Sequence, residues 1–132
     1  TTCRRQRQMC IRDRYNASPE SVKACIKSLL EKPRNKFFIF GSMQELGEES
    51  EKYHIEIFNL INNSEIEKCL FICDKKNEKN YSNYLKDKNK FLVLNNINDV
   101  PKEINNSTKQ GDSILIKGSR CWQLEKIIEL IN

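Results

Sequence analysis

The stretch Phe37-Phe38-Ile39-Phe40-Gly41-Ser42 decides the fold. Four consecutive apolar residues closed by a glycine predict a short strand buried on both faces, because a strand with one wet face alternates apolar and polar side chains. Upstream, Val22, Cys25, Ile26, Leu29 and Leu30 recur at the spacing of one helix face. Ser18 supplies a cap for that helix, Pro19 suits its first turn, and Pro33 ends it. Downstream, a second helix is expected from about Glu48 to Asn62, with Tyr53, Ile57, Leu60 and Ile61 inward and acids in the first turn, where the helix dipole favours them. The alternation then repeats. Cys69 to Ile72, Phe91 to Leu94 and Ser113 to Ile116 read as strands, Tyr81 to Lys86 and Val100 to Ser107 as short helices. Cys121, Leu124, Ile127, Ile128 and Ile131 mark a closing helix, and the Asn- and Lys-rich stretches 74–90 and 105–110 read as solvated loops. Strands alternating with helices make βαβ units, so the expected class is α/β: Rossmann-like, a mainly parallel sheet with helices on both faces.

The chain has 132 residues, the size of one domain. Its 23 Lys and Arg against 18 Asp and Glu give a net charge of +5, but that charge is unevenly placed. Residues 1–14 hold five arginines and one acid, leaving 18 bases against 17 acids from Tyr15 onward. Composition also changes there, from Arg-rich to rich in Lys, Asn and Ile. We therefore divide the chain into a basic leader, 1–14, whose run Gln6 to Arg14 resembles a translated sequencing adapter, and a domain, 15–132. A polyanion partner is not implied by the domain's own near-neutral balance.

None of the apolar runs approaches the roughly 18 residues of a membrane-spanning helix. Of the six cysteines, Cys3 and Cys10 fall in the leader, Cys25 and Cys121 on helix faces, and Cys69 and Cys73 flank one strand. Four residues of strand span about 13 Å, beyond the roughly 7 Å that a disulfide tolerates, so reduced thiols are expected, as in the cytoplasm. A zinc site from Cys69, Cys73 and His54 is disfavoured because the spacing fits no standard ligand pattern.

Chemistry in such a sheet belongs at the carboxyl ends of the strands. Two predicted strands end in Gly-Ser: Phe40-Gly41-Ser42 and Lys117-Gly118-Ser119-Arg120. In the second, Ser119 can cap the next helix while Lys117 and Arg120 set two cations beside its positive end, an arrangement suited to a carboxylate or phosphate. The alternative is a glycine turn, a plain cap and two solvated cations. Asp13-Arg14-Tyr15-Asn16 precedes the first helix and offers a further pair of polar side chains, though local turn bonding also explains Asn16. The four glycines fit neither G-x-x-x-x-G-K-[ST] nor G-x-G-x-x-G. His54, the single histidine, sits among core residues of a helix and reads as a packing residue rather than a base. No catalytic constellation assembles, so the chain alone is expected to be inactive.

Three segments carry a resemblance. Tyr15-Asn16-Ala17-Ser18-Pro19, then Gly41-Ser42-Met43-Gln44-Glu45-Leu46-Gly47-Glu48-Glu49-Ser50 with His54, then Ile116-Lys117-Gly118-Ser119-Arg120 with Leu124 and Glu125, resemble in order and spacing the C-terminal domain of the D-alanyl-D-alanine-adding Mur ligases. The resemblance covers residues 13–132. It implies the third domain of a cytoplasmic, monomeric ligase that uses ATP and magnesium to join D-alanyl-D-alanine to UDP-MurNAc-tripeptide in peptidoglycan precursor synthesis. That activity serves cell wall, cell shape and cell division, with no nucleic-acid or membrane partner. The P-loop, the catalytic residues and the metal ligands would lie in domains upstream. Carried over by position, Asp13, Tyr15 and Asn16 would face the nucleotide. Lys117, Ser119 and Arg120 would receive anionic groups, and Gly41, Ser42, Glu45, Leu46, Gly47 and His54 would shape the cleft. The sequence departs from the family where Ser42 replaces an Asp, Ser18 an Asn and Arg12 an acid. A sister Mur ligase or folylpolyglutamate ligase domain is the nearest alternative, and a stand-alone basic nucleic-acid-binding module the one from another class.

Overall fold

The computed structural model describes residues 9–12, 18–32, 35–43, 47–81, 84, 85, 87, 89–109, 111–118, 122 and 126. Within them the chain runs β1 (Met9–Arg12), α1 (Pro19–Leu30), β2 (Lys36–Gly41), α2 (Ser50–Asn62), β3 (Lys68–Ile72), α3 (Lys75–Tyr81), β4 (Phe91–Leu94), α4 (Val100–Ser107) and β5 (Ser113–Lys117). The strands form one sheet in the order β1-β5-β2-β3-β4. Every neighbouring pair is parallel, with Phe40 opposite both Lys117 and Phe71. The expected Rossmann-like α/β class holds. All the strands therefore end at the same edge of the sheet.

The continuous apolar runs bury both faces of the central strands, as expected of them. Phe38, Phe40, Cys69, Phe71 and Leu115 pack on one face against Val22, Ile26 and Leu29 of α1 and Ile57, Phe58 and Ile61 of α2. Phe37, Ile39, Leu70, Ile72, Ile114 and Ile116 pack on the other against Val100 and Ile104 of α4. β4 closes one edge of the sheet, and its last three residues are only half-buried.

Local signals explain the element starts. Ser18 accepts the Ser21 N–H at 3.2 Å, and Ser21 Oγ accepts the Ser18 N–H at 3.0 Å, a reciprocal box at the start of α1. Gly111 alone among the described glycines takes a positive φ, 92°, in the turn before β5 that Asp112 closes by accepting the Lys109 N–H at 2.7 Å. At the far end of α2, Lys90 Nζ donates to the Ser64 carbonyl at 2.9 Å, placing a cation where the dipole favours one.

Two expectations are corrected. Residues 82, 83 and 86 of the helix expected over Tyr81–Lys86 lie outside the described residues, while a helix at Lys75–Tyr81, ending in Tyr81, stands inside a stretch read as loop. Its first N–H groups turn back on Asp74, whose carbonyl accepts from Asn77 and Glu78 at 3.0 Å each. Polar residues fill its earlier turns, so no apolar period announced it. In α2 the buried stripe is His54, Ile57, Phe58 and Ile61, whereas Leu60 is 36% exposed. The spacing i, i+3, i+4, i+7 puts Leu60 off that stripe. β1 lies within residues 1–14, the segment read as a leader, and pairs with β5, Met9 with Ser113 through Arg12 with Ile116. The expected closing helix falls outside the described residues apart from Trp122 and Lys126.

Candidate functional site at the carboxyl edge of the sheet

β2 and β5 are neighbours, paired as far as Phe40 and Lys117, so both strands end side by side on the carboxyl edge. Ser42, 5% exposed, is the junction of this region. Its N–H donates to the Ile72 carbonyl at 2.9 Å, extending the β2–β3 pairing one step. Its carbonyl oxygen and its Oγ both accept the Trp122 indole N–H, at 3.1 and 3.2 Å. The next residue, Met43, donates its N–H to His54 Nε2 at 2.9 Å.

His54 is 1% exposed and ringed by Phe40, Phe58, Phe71 and Tyr81, with centroids 5.3 to 6.4 Å away. Its Nδ1 lies 2.7 Å from the Ser50 carbonyl. A carbonyl only accepts and a backbone N–H only donates, so Nδ1 carries the proton and Nε2 the lone pair of a neutral ring. Burial pushes the imidazole below its ordinary pKa, against the Ser50 carbonyl, which favours the charged form. A ring with both nitrogens engaged within the fold is a pin for the chain after β2.

Lys117 ends β5 and is 1% exposed, so its side chain meets no solvent. Strand alternation sets it on the face of Leu115, beside Phe40 across the register. It is partnered within the fold. Gly41 lies in β2 and Gly47 opens a single 3-10 turn ahead of α2. Asp13, Tyr15, Asn16, Glu45, Leu46, Ser119 and Arg120 lie outside the described residues. The structure therefore brings together Ser42, His54 and Lys117 of the expected set, and adds Trp122. Sequence reasoning passed over Trp122 because a lone half-buried indole joins no motif.

Among the described residues, no three His, Cys, Asp or Glu side chains gather to hold a metal. No described helix is long and apolar enough to cross a membrane. Burial pushes both Cys69 and Cys73 thiols up, Cys73 to about 12 with help from the Glu78 and Asp74 carboxylates.

Fold and edge together define a Rossmann-like α/β domain with polar groups collected at its strand ends and no phosphate-binding loop of its own. The chain belongs to the Mur ligase family: the model of the "Mur ligase, glutamate ligase domain" matches residues 1–120. A UDP-N-acetylmuramoyl-tripeptide--D-alanyl-D-alanine ligase of Buchnera aphidicola is 35% identical over 127 residues, 92% of this chain and 26% of the relative. The protein of the same name from Rickettsia prowazekii is 33% identical over 129 residues, 94% of this chain and 27% of the relative. The crystal structure of MurF ligase from Thermotoga maritima in complex with ADP superposes with a TM-score of 0.79 at 28% identity, covering 96% of this chain and 28% of that one. The chain thus spans about a quarter of the length of its relatives.

Proposed function

We propose that this chain is the C-terminal domain of an ATP-dependent ligase that adds D-alanyl-D-alanine to UDP-MurNAc-tripeptide. In that reaction the tripeptide carboxylate takes the γ-phosphoryl group of ATP, releasing ADP. The dipeptide amine then attacks the acyl phosphate and expels phosphate as the amide forms. The observation that carries this reading is the match of nearly the whole chain to ligases of that name at 33 to 35% identity. A share of only about a quarter of each relative accounts for the missing P-loop.

In this reading the carboxyl edge closes over the ligands. Ser119 and Arg120 receive an anionic group, the dipeptide carboxylate or a phosphate, while buried Lys117 adds positive field from below. Positioned cations of this kind stabilise charge that develops in the transition state. Asp13, Tyr15 and Asn16 face the nucleotide, and Gly41, Ser42, Glu45, Leu46, Gly47 and His54 shape the cleft. The reading assigns magnesium and the catalytic groups to the preceding domains. The enzyme is cytoplasmic and monomeric.

The test is to sequence upstream of the Tyr15 codon and to assay the whole reading frame. A continuous frame containing a P-loop, whose product releases phosphate only when ATP, tripeptide precursor and dipeptide are all present, supports the proposal. A stop codon followed by a genuine start, or phosphate release indifferent to the dipeptide, refutes it.

A further inference from the structure

We propose that His54 is a pH-sensitive pin at the carboxyl edge: neutral, it holds Met43 down on α2, and protonated, it lets Met43 lift from the core while the sheet behind it stays formed. The inference concerns the domain alone and does not depend on which ligand the edge receives.

The hydrogen-bond ladder of β2 runs out in two steps. Ser42 still donates to a backbone carbonyl, that of Ile72 at 2.9 Å. One residue on, the Met43 N–H finds its acceptor on a side chain, His54 Nε2 at 2.9 Å, in the second turn of α2. A carbonyl accepts at any ordinary pH, whereas an imidazole nitrogen accepts only while it keeps its lone pair. Nδ1 is already committed to the Ser50 carbonyl at 2.7 Å, so a proton arriving at Nε2 sets donor against donor.

The surroundings give the charged ring little support. Phe40 of β2, Phe71 of β3, Phe58 of α2 and Tyr81 of α3 enclose it. Burial pushes the Tyr81 phenol up, with help from the Glu51 carboxylate, and pushes up the Cys73 thiol just past β3, so both stay neutral. β5 brings the cation Lys117 opposite Phe40. Among the described residues only the Ser50 carbonyl favours an imidazolium, and burial outweighs it. A buried charge without compensation is costly, so exposure of the ring relieves it. That escape is local, because Ser42 and the strand before it are held by backbone bonds, while Met43 is held by this imidazole and by its own buried side chain. Once opened, the ring regains its ordinary pKa near 6.5, and each pH unit below that favours opening by up to about tenfold.

His54 is the single histidine, so its ring signals are unambiguous. At pH 7.5, nitrogen NMR of this chain should place the proton on Nδ1; a proton on Nε2 overturns the pin. Residue-resolved amide exchange then follows Met43, expressed as protection so that the intrinsic pH dependence drops out. At pH 7.5 Met43 should be at least about tenfold less protected than Ile39 in the middle of β2, the mark of an opening short of unfolding. Between pH 7.5 and 5 its protection should fall at least about threefold, with about thirtyfold the ceiling for an opened ring of ordinary pKa. His54→Phe fills the cage without an acceptor and should leave Met43 poorly protected at both pH values. His54→Gln offers an amide oxygen that does not titrate, and should lose the slope even where the Phe variant does not fold. Met43 protected as strongly as Ile39, protection in wild type that ignores pH, or a slope that persists in His54→Gln overturns the proposal.

Discussion

His54 Nε2 accepts the backbone N–H of Met43 at 2.9 Å, tying the middle of α2 to the chain just past β2. The bond needs a neutral ring, since a protonated Nε2 would face the Met43 N–H donor to donor. Burial holds the folded pKa below the ordinary 6.5, so between the folded value and 6.5 the unfolded chain binds the extra proton. This contribution to stability is therefore complete above pH 6.5 and lost as pH falls through 6.5 towards the folded value. Urea unfolding of this chain at steps from pH 7.5 to 5 should show the midpoint falling. In His54→Phe, which keeps the ring among Phe40, Phe58, Phe71 and Tyr81, the slope over that range should flatten. Equal slopes in the two proteins would remove His54 as the cause.

The thiols of β3 make a second prediction. Cys69 and Cys73 are fully buried, whereas Cys25 on α1 is half-buried. The thiolate is the reactive form, and a pKa near 12 in place of 9.0 lowers its fraction at pH 8 about a thousandfold. Iodoacetamide pulses followed by peptide mapping should label Cys25 well before Cys69 or Cys73 in the folded protein. Urea should erase the difference. Early native labelling of Cys73 would show that the end of β3 opens far more readily than its packing implies.

The elements that the sequence announced are those whose burial is continuous or strictly periodic. Phe37 to Phe40 and Ser113 to Ile116 are dry on both faces, and α1 shows its stripe through Val22, Ile26 and Leu29 with a Ser-Pro start. β1 went unread because its pairing is made by backbone groups, while Arg12 and the arginines around it dominate its composition. α3 went unread because it is anchored at its end by Tyr81, with exposed or half-buried polar residues before it. At the candidate site, the Gly41-Ser42 end of β2 and Lys117 at the end of β5 were legible as local motifs. The Ser42–Trp122 contact, 80 residues apart in sequence, was not, since only the sheet order brings those segments together.

Phe58 tests the core beneath the site. It is fully buried and meets Phe71 edge-on with centroids 4.9 Å apart, and Tyr81 and Phe91 at 5.4 and 6.1 Å. Phe58→Ala should cost about 3–5 kcal/mol, a large part of the roughly 5–15 kcal/mol by which domains are stable. Leu60→Ala, two residues on but 36% exposed, should change stability by about 0.5 kcal/mol or less. Paired chemical denaturation of the two variants measures the contrast. Similar losses would mean that α2 is rotated from the placement described.

Lys117 and Arg120 carry the sharpest functional prediction. In the full-length ligase, Lys117→Met removes the ammonium but keeps an unbranched apolar stem in a position only 1% exposed. Arg120→Ala removes the second cation of the motif. Each should lower the rate of dipeptide ligation about tenfold or more, the scale on which lost charge stabilisation in a transition state is felt. Melting curves recorded alongside separate the two roles open to a buried lysine. A Lys117→Met enzyme that melts within about 4 °C of wild type yet ligates slowly acts through the cation's field. One that no longer folds confines Lys117 to the core and leaves Arg120 to meet the anion alone. Unchanged steady-state kinetics in both variants would remove the anion site from this edge of the sheet.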